Sequence, residues 1–116
     1  MNLGFTGTRK GLTQQQAISL REWLLGLDGC ETAHHGVAIG ADAEFAGIIA
    51  RHLLALYVVG HPSNLADQTS EEALDACDEV RDPLPPLERN CAIVDECDVL
   101  LACPDSMEER QRSGTW

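Results

Sequence analysis

The sequence predicts a three-layer α/β fold, a parallel sheet with helices on both faces, and three observations lead there. Short strand-like runs at 3–6, 31–35, 56–59 and 99–103 alternate with segments whose apolar residues recur at helical spacing. The run Val99-Leu-Leu-Ala-Cys103 is apolar throughout, as in a strand covered on both faces. Glycine-bearing turns follow the first two strands, at Gly7 and Gly36. Strands that alternate with helices pair in parallel through right-handed crossovers. A chain of 116 residues suits one domain, taken as 1–116.

The elements follow in order. Leu3-Gly-Phe-Thr6 is the first strand, ended by Gly7, and Thr13-Gln-Gln-Gln16 offers a Thr-x-x-Gln capping box for a helix. Ala17, Leu20, Leu24 and Leu27 share one face of that helix, and Gly29 is expected to close it. Glu31–His35 reads as the second strand and Gly36–Ala41 as a turn. Asp42 then caps a helix bearing Phe45, Ile48, Ile49 and Leu53. Leu56-Tyr-Val-Val59 is the third strand, ended by His61-Pro62. Glu71–Arg81 fits either an amphipathic helix, with Leu74, Cys77 and Val80 inward, or a solvated acidic loop. Asp82-Pro-Leu-Pro-Pro86 is an extended link. Leu87–Cys97 is a helix with Leu87, Ile93, Val94 and Cys97 as its apolar positions, leading into the strand that Pro104 stops.

Nineteen acidic residues against eight basic ones give a formal charge of -11. That balance opposes stable binding to nucleic acid or to an anionic membrane surface. Five cysteines, at 30, 77, 91, 97 and 103, show no C-x-x-C spacing and read as reduced, packed thiols. With no signal-peptide pattern and no long apolar run, the expectation is a cytosolic protein.

Ligands of parallel α/β sheets bind beyond the carboxyl ends of the strands, which singles out the loops 7–13, 34–42, 61–70 and 104–116. Gly7-Thr-Arg-Lys-Gly11 stands between a strand and a capped helix, where backbone amides and the Thr6 and Thr8 hydroxyls can hold an anion. It matches neither a Walker loop nor a dinucleotide fingerprint, and an exposed basic turn explains it equally well. Arg9, Lys10, Arg110 and Arg112 leave strand carboxyl ends, and Arg89 lies in the first turns of the helix before the last strand. Arginines gathered at one rim of an acidic protein suit a phosphate or carboxylate. Solvated pairing of Arg110 and Arg112 with Glu108 and Glu109 is the plainer alternative. His34 and His35 end a strand and point to opposite faces, which disfavours a metal site built from the two and leaves one imidazole to backbone partners. Asp42 and Glu44 chiefly complement a helix dipole, with ribose contact as the sharper role. Trp23 is assigned to core or interface burial. No nucleophile with an evident base, no metal site and no cofactor motif emerges.

Three stretches resemble the SLOG superfamily, which includes the LOG-type phosphoribohydrolases and DprA-like proteins. They are Gly4-Phe-Thr-Gly-Thr-Arg-Lys-Gly-Leu-Thr13, His34-His-Gly36 with Gly40-Ala-Asp42, and Leu87-Glu-Arg-Asn90 through Arg112-Ser-Gly-Thr-Trp116. The resemblance implies a Rossmann-like fold that binds nucleotides or nucleotide-derived ligands. It places Gly7, Thr8, Arg9 and Lys10 near the ligand, with His35, Gly36, Gly40 and Asp42 from the second turn and Arg89 and Asn90 from the third segment. Ser113, Gly114 and Thr115 would form the phosphate-cradling turn, with Arg112 beside it as a further candidate contact. Glu88-Arg89-Asn90 is similar to the E-R-K segment of LOG-type enzymes, so Arg89 is the residue carried over as catalytic if the protein is an enzyme. The glutamate of the G-G-x-G-T-x-x-E motif has no counterpart before Trp116, so binding without turnover is favoured.

Relatives continue into another helix and strand, so the expected sheet lacks its last helix-strand unit and exposes 99–103 as an edge, for which a homodimer or a rearranged C-terminus is expected. The leading expectation is a module that senses or sequesters a nucleotide-derived small molecule. A LOG-like hydrolase of nucleoside monophosphates is the enzymatic alternative. A ligand-free subunit whose acidic 71–82 segment meets a basic partner is the third.

Overall fold

The computed structural model describes residues 1–52 and 55–103. Strands β1 (Asn2–Gly7), β2 (Thr32–His35), β3 (Tyr57–Gly60), β4 (Glu79–Val80) and β5 (Val99–Cys103) alternate with helices α1 (Gln14–Leu25), α2 (Ala41–Arg51), α3 (Glu71–Asp75) and α4 (Pro86–Glu96). All strand pairs are parallel and the sheet order is β4-β3-β2-β1-β5, a Rossmann-like α/β arrangement. The chain steps outward from β1 to β4 and then crosses back to place β5 on the other side of β1. The order therefore reverses between β1 and β5, where crevices open in such sheets.

Alternation along the strands assigns the layers. Leu3 and Phe5 of β1, Ala33 of β2 and Val58 of β3 pack with Leu20 and Leu24 of α1 and with Phe45, Ile48 and Ile49 of α2. Phe5 and Phe45 stack at 4.3 Å between ring centroids. On the opposite face α4 lies across β1 and β2 and buries Ile93. A smaller cluster of Val37, Ala46 and Ala73 joins α3 to α2. Among the described residues no helix is long and apolar enough to cross a membrane.

The capping box forms as read: Thr13 accepts from the Gln16 amide, and the Gln16 side chain accepts from the Thr13 amide. Other boundaries move. Gly26, not Gly29, caps α1, because its amide reaches the Glu22 and Leu24 carbonyls. The 71–81 segment is neither one helix nor a loop. It is the short α3 followed by β4, which the Asp78 carboxylate starts by accepting the Val58 amide. Trp23 is exposed rather than part of the core, and Leu87 and Val94 of α4 face outward, leaving Ile93 as that helix's buried anchor. In the described sheet β5 has one partner, β1, over Leu3–Gly7. The expectation about a missing final unit concerns chain beyond 103, outside the described residues.

Candidate functional site

The turns after β1 and β2 meet at the carboxyl edge of the sheet. The Thr8 amide donates to the Cys103 carbonyl of β5, and the Thr8 carbonyl accepts from the amides of Gly11 and of Ala41, the first residue of α2. Gly40 makes this approach possible. Its φ is +89°, and a Cβ there would lie 2.4 Å from the Arg9 carbonyl oxygen, so only glycine fits. Gly40 thereby takes the N-cap position expected of Asp42, with no capping side chain.

Asp42, one residue inside α2, is buried instead. Its Oδ2 accepts the Ala38 amide at 3.2 Å, while its Oδ1 is buried without a partner among the described residues. Burial raises its pKa from 3.8 to about 6, against the opposing pull of the Ala38 amide, Arg89 and the Gly36 amide.

Arg89 reaches from α4 to the same turn. Its Nη1 donates to the Gly36 carbonyl at 2.7 Å and to the His61 carbonyl at 3.2 Å, and its Nε donates to Asn90 Oδ1 at 2.7 Å. Gly36 leaves room for this convergence: a Cβ on it would lie 2.5 Å from Arg89 Nη1 and 2.8 Å from Asp42 Oδ2, so the guanidinium can sit here only while residue 36 has no side chain. Burial lowers the Arg89 pKa while Asp42 opposes the shift. The half-buried guanidinium thus stands beside a carboxylate that has spare acceptor capacity.

The structure therefore gathers Gly36, Asp42, Arg89 and Asn90 in one group, with Gly7, Thr8, the Arg9 backbone and Gly40 adjoining it through Ala41. The Arg9 and Lys10 residues are exposed at its margin. Arg112, Ser113, Gly114 and Thr115, with Arg110, lie outside the described residues. His35 does not reach the site: its ring is fully buried edge-on to Phe45, and its Nδ1 accepts the Val37 amide at 3.0 Å. Desolvation lowers its pKa to about 4, with His61, His34 and Arg89 adding to the effect.

The expected cradle of free amides is also altered. The Lys10 amide bonds Thr8 Oγ1, the Gly11 amide bonds the Thr8 carbonyl, and the Leu12 amide is taken by the Glu44 carboxylate. In the second turn Val37, Ala38 and Ile39 donate to His35, Asp42 and the Gln68 carbonyl. Side chains, more than these amides, are left to meet a ligand. Val37 holds φ at 53°, a strained value for a β-branched residue, and that turn is over-determined by these bonds.

The sequence reading missed His61, Glu96 and Arg81. His34 pairs in register with Val59, so His61, two residues on, projects from the same face as His34. Period-two counting would have found it once β2 and β3 were known to be neighbours. A hollow of about 180 Å³ between α2 and β3, lined by Ala46, Ile49, Val58 and Asp78 among others, contains none of the expected site residues.

No protein-family model and no curated protein matches the sequence. A solved structure, the X-ray structure of TM1055, a structural genomics target, is similar with a TM-score of 0.59 at 14% identity. The likeness covers 87% of this chain and 59% of TM1055, so the chain spans about three-fifths of that protein's length. At that identity the likeness is one of fold.

Proposed function

We propose that this protein binds a nucleotide or nucleotide-derived small molecule at the carboxyl edge of the sheet. The observation that carries the reading is the Arg89 guanidinium, held half-buried over Gly36 beside the buried, under-bonded carboxylate of Asp42. A cation fixed in a partly dry site favours phosphate. The resemblance to the SLOG superfamily supports the same ligand class. Thr8 and Arg9 stand at the adjoining turn to complete the phosphate contacts. The five cysteines are all unpaired, which fits action in the reducing cytosol.

Calorimetry against mononucleotides, cyclic nucleotides and ADP-ribose-type ligands tests the reading. One ligand of the panel is expected to bind at the micromolar level, and Arg89→Ala is expected to weaken it about tenfold or more, the loss of one charged hydrogen bond. Silence across the panel would favour the protein-interaction reading.

Asp42 gives the hydrolase alternative a specific footing. A carboxyl group raised to about 6 has the pKa of a general acid, and it would serve as one only if the 36–42 turn opened to bring it to the leaving base. Chromatography of each bound nucleoside monophosphate after incubation separates release of base from simple binding.

A further inference from the structure

The face of the sheet beneath α4 carries a second cluster that the phosphate reading does not use. We propose that His34, His61 and Glu96 form a site for a divalent transition-metal ion of the zinc class, with His34 Nδ1, His61 Nε2 and one Glu96 carboxylate oxygen as ligands. One ligand atom from each of the three residues lies within 4.8 Å of the others. His34 Nδ1 and His61 Nε2 are 2.8 Å apart, and His61 Nε2 is 3.4 Å from Glu96 Oε2. Zinc bonds of about 2.0–2.2 Å at tetrahedral angles separate ligand atoms by roughly 3.3 Å. The His61–Glu96 spacing already fits, the histidine pair must open by about half an ångström, and the His34–Glu96 spacing, within 4.8 Å, must settle to the same value by small side-chain rotations.

Protons alone serve the cluster poorly. With one proton between the two rings, either His61 Nε2 shares it between His34 and Glu96, or His34 Nδ1 keeps it and the His61 lone pair faces a carboxylate. An ion satisfies all three atoms together, and imidazole with carboxylate is a donor set that suits zinc.

The surroundings support the same assignment. Arg81 Nη2 holds the other carboxylate oxygen, Glu96 Oε1, at 2.7 Å, and the same guanidinium is paired with Glu79. This turns Oε2 toward the histidines, the work of an outer-shell partner. Both imidazoles are 3% exposed while Glu96 is 37% exposed, so the ligands are fixed and the ion has a way in. Coordination through Nδ1 puts the His34 proton on Nε2, a buried atom without a partner among the described residues. The outer shell is thus incomplete at one ligand, and the expected affinity is micromolar rather than nanomolar. Three protein ligands leave a position for water or substrate, as in catalytic rather than structural zinc sites. The three ligand residues are distinct from those of the nucleotide reading, and Arg89, which donates to the His61 carbonyl, links the two places.

The test uses the whole chain, stripped with chelator, kept reduced and titrated with Co²⁺ alone. One Co²⁺ per chain is expected, with visible ligand-field bands, no thiolate-to-cobalt charge-transfer band, and displacement by Zn²⁺. Glu96→Gln keeps the size of a partly exposed side chain and is expected to fold and to weaken Co²⁺ binding about tenfold or more. Absence of Co²⁺ uptake, a thiolate band that assigns the ion to cysteines, or an unchanged affinity in folded Glu96→Gln would each overturn the proposal. Nucleotide calorimetry on the stripped protein reads the other site separately.

Discussion

Arg89 Nη1 donates to the Gly36 carbonyl at 2.7 Å, so the first turns of α4 are tied to the turn after β2 from across the sheet. The same nitrogen also serves the His61 carbonyl after β3. Arg89 therefore has a structural role as well as the binding role proposed for it. Arg89→Ala is expected to lower the unfolding free energy by about 2 kcal/mol, because two carbonyls lose a charged donor in a partly buried place. Arg89→Lys is expected to restore less than half of that, since an ammonium lacks the planar fork. Urea unfolding of the three proteins checks both.

Gly36 and Gly40 both cost stability when a Cβ is added, but through different contacts, and ligand affinity separates them. An Ala Cβ at Gly40 meets backbone, the Arg9 carbonyl, at 2.4 Å and must hold φ near +89°. Gly40→Ala is expected to cost about 2–3 kcal/mol of stability. At Gly36 the nearest atom is the far end of the Arg89 side chain, which can swing away. Gly36→Ala is expected to leave stability near that of Arg89→Ala and to reduce ligand affinity to the same level, because the guanidinium is displaced. Thermal unfolding paired with calorimetry distinguishes the two outcomes.

The cap of α1 offers a simpler measurement. Thr13 Oγ1 accepts the Gln16 amide, so Thr13→Ala leaves that helix-end donor without its protein partner, while the residue-13 amide still donates to the Gln16 side chain. A loss of about 1 kcal/mol is expected, with Thr13→Ser close to wild type.

Periodicity made most of the sheet legible. Val99–Cys103 is an unbroken apolar run and has the expected bounds, and Thr13–Gln16 marks the start of α1 without ambiguity. β4 was hidden because Glu79 and Val80 are too few to show alternation. Strand order was hidden as well, and with it the meeting of His34 with His61, since adjacency of β2 and β3 is a tertiary fact. Asp42 shows how local chemistry can mislead: its residue type and position suit a helix cap. The close approach of Gly40 to Arg9 takes over that position and carries the carboxylate inward to Arg89. Gly36 and Arg89 were both expected at the site, but their mutual contact spans 53 positions and no spacing in the sequence announces it.

Buried titratable groups set the pH dependence, and their signs oppose. His35 and His61 fall from 6.5 to about 4, mainly through desolvation, and His34 is lowered in the same direction by the same cause. An unfolded chain binds protons at these histidines below 6.5 that the folded chain refuses, so stability is lost as pH falls through that range. Asp42 works the other way. Its pKa is about 6 when folded against 3.8 unfolded, so the folded state holds the extra proton and stability is lost as pH rises between those values. His35 and His61 together outweigh the single Asp42, and His34 adds in their direction, so there is a net gain of stability from pH 4 to 6.5, at about 1.4 kcal/mol per pH unit for each net proton. Asp42→Asn removes the opposing contribution. That variant is expected to steepen the rise and to be about 2–3 kcal/mol more stable than wild type above pH 7, where the buried carboxylate is ionised. Urea unfolding across this range, with chelator present so that no metal ion holds the imidazoles, reads both effects. A wild-type stability that falls from pH 4 to 6.5 would show that the histidines are solvated in the folded protein and that the packing of α4 over β2 is looser than described.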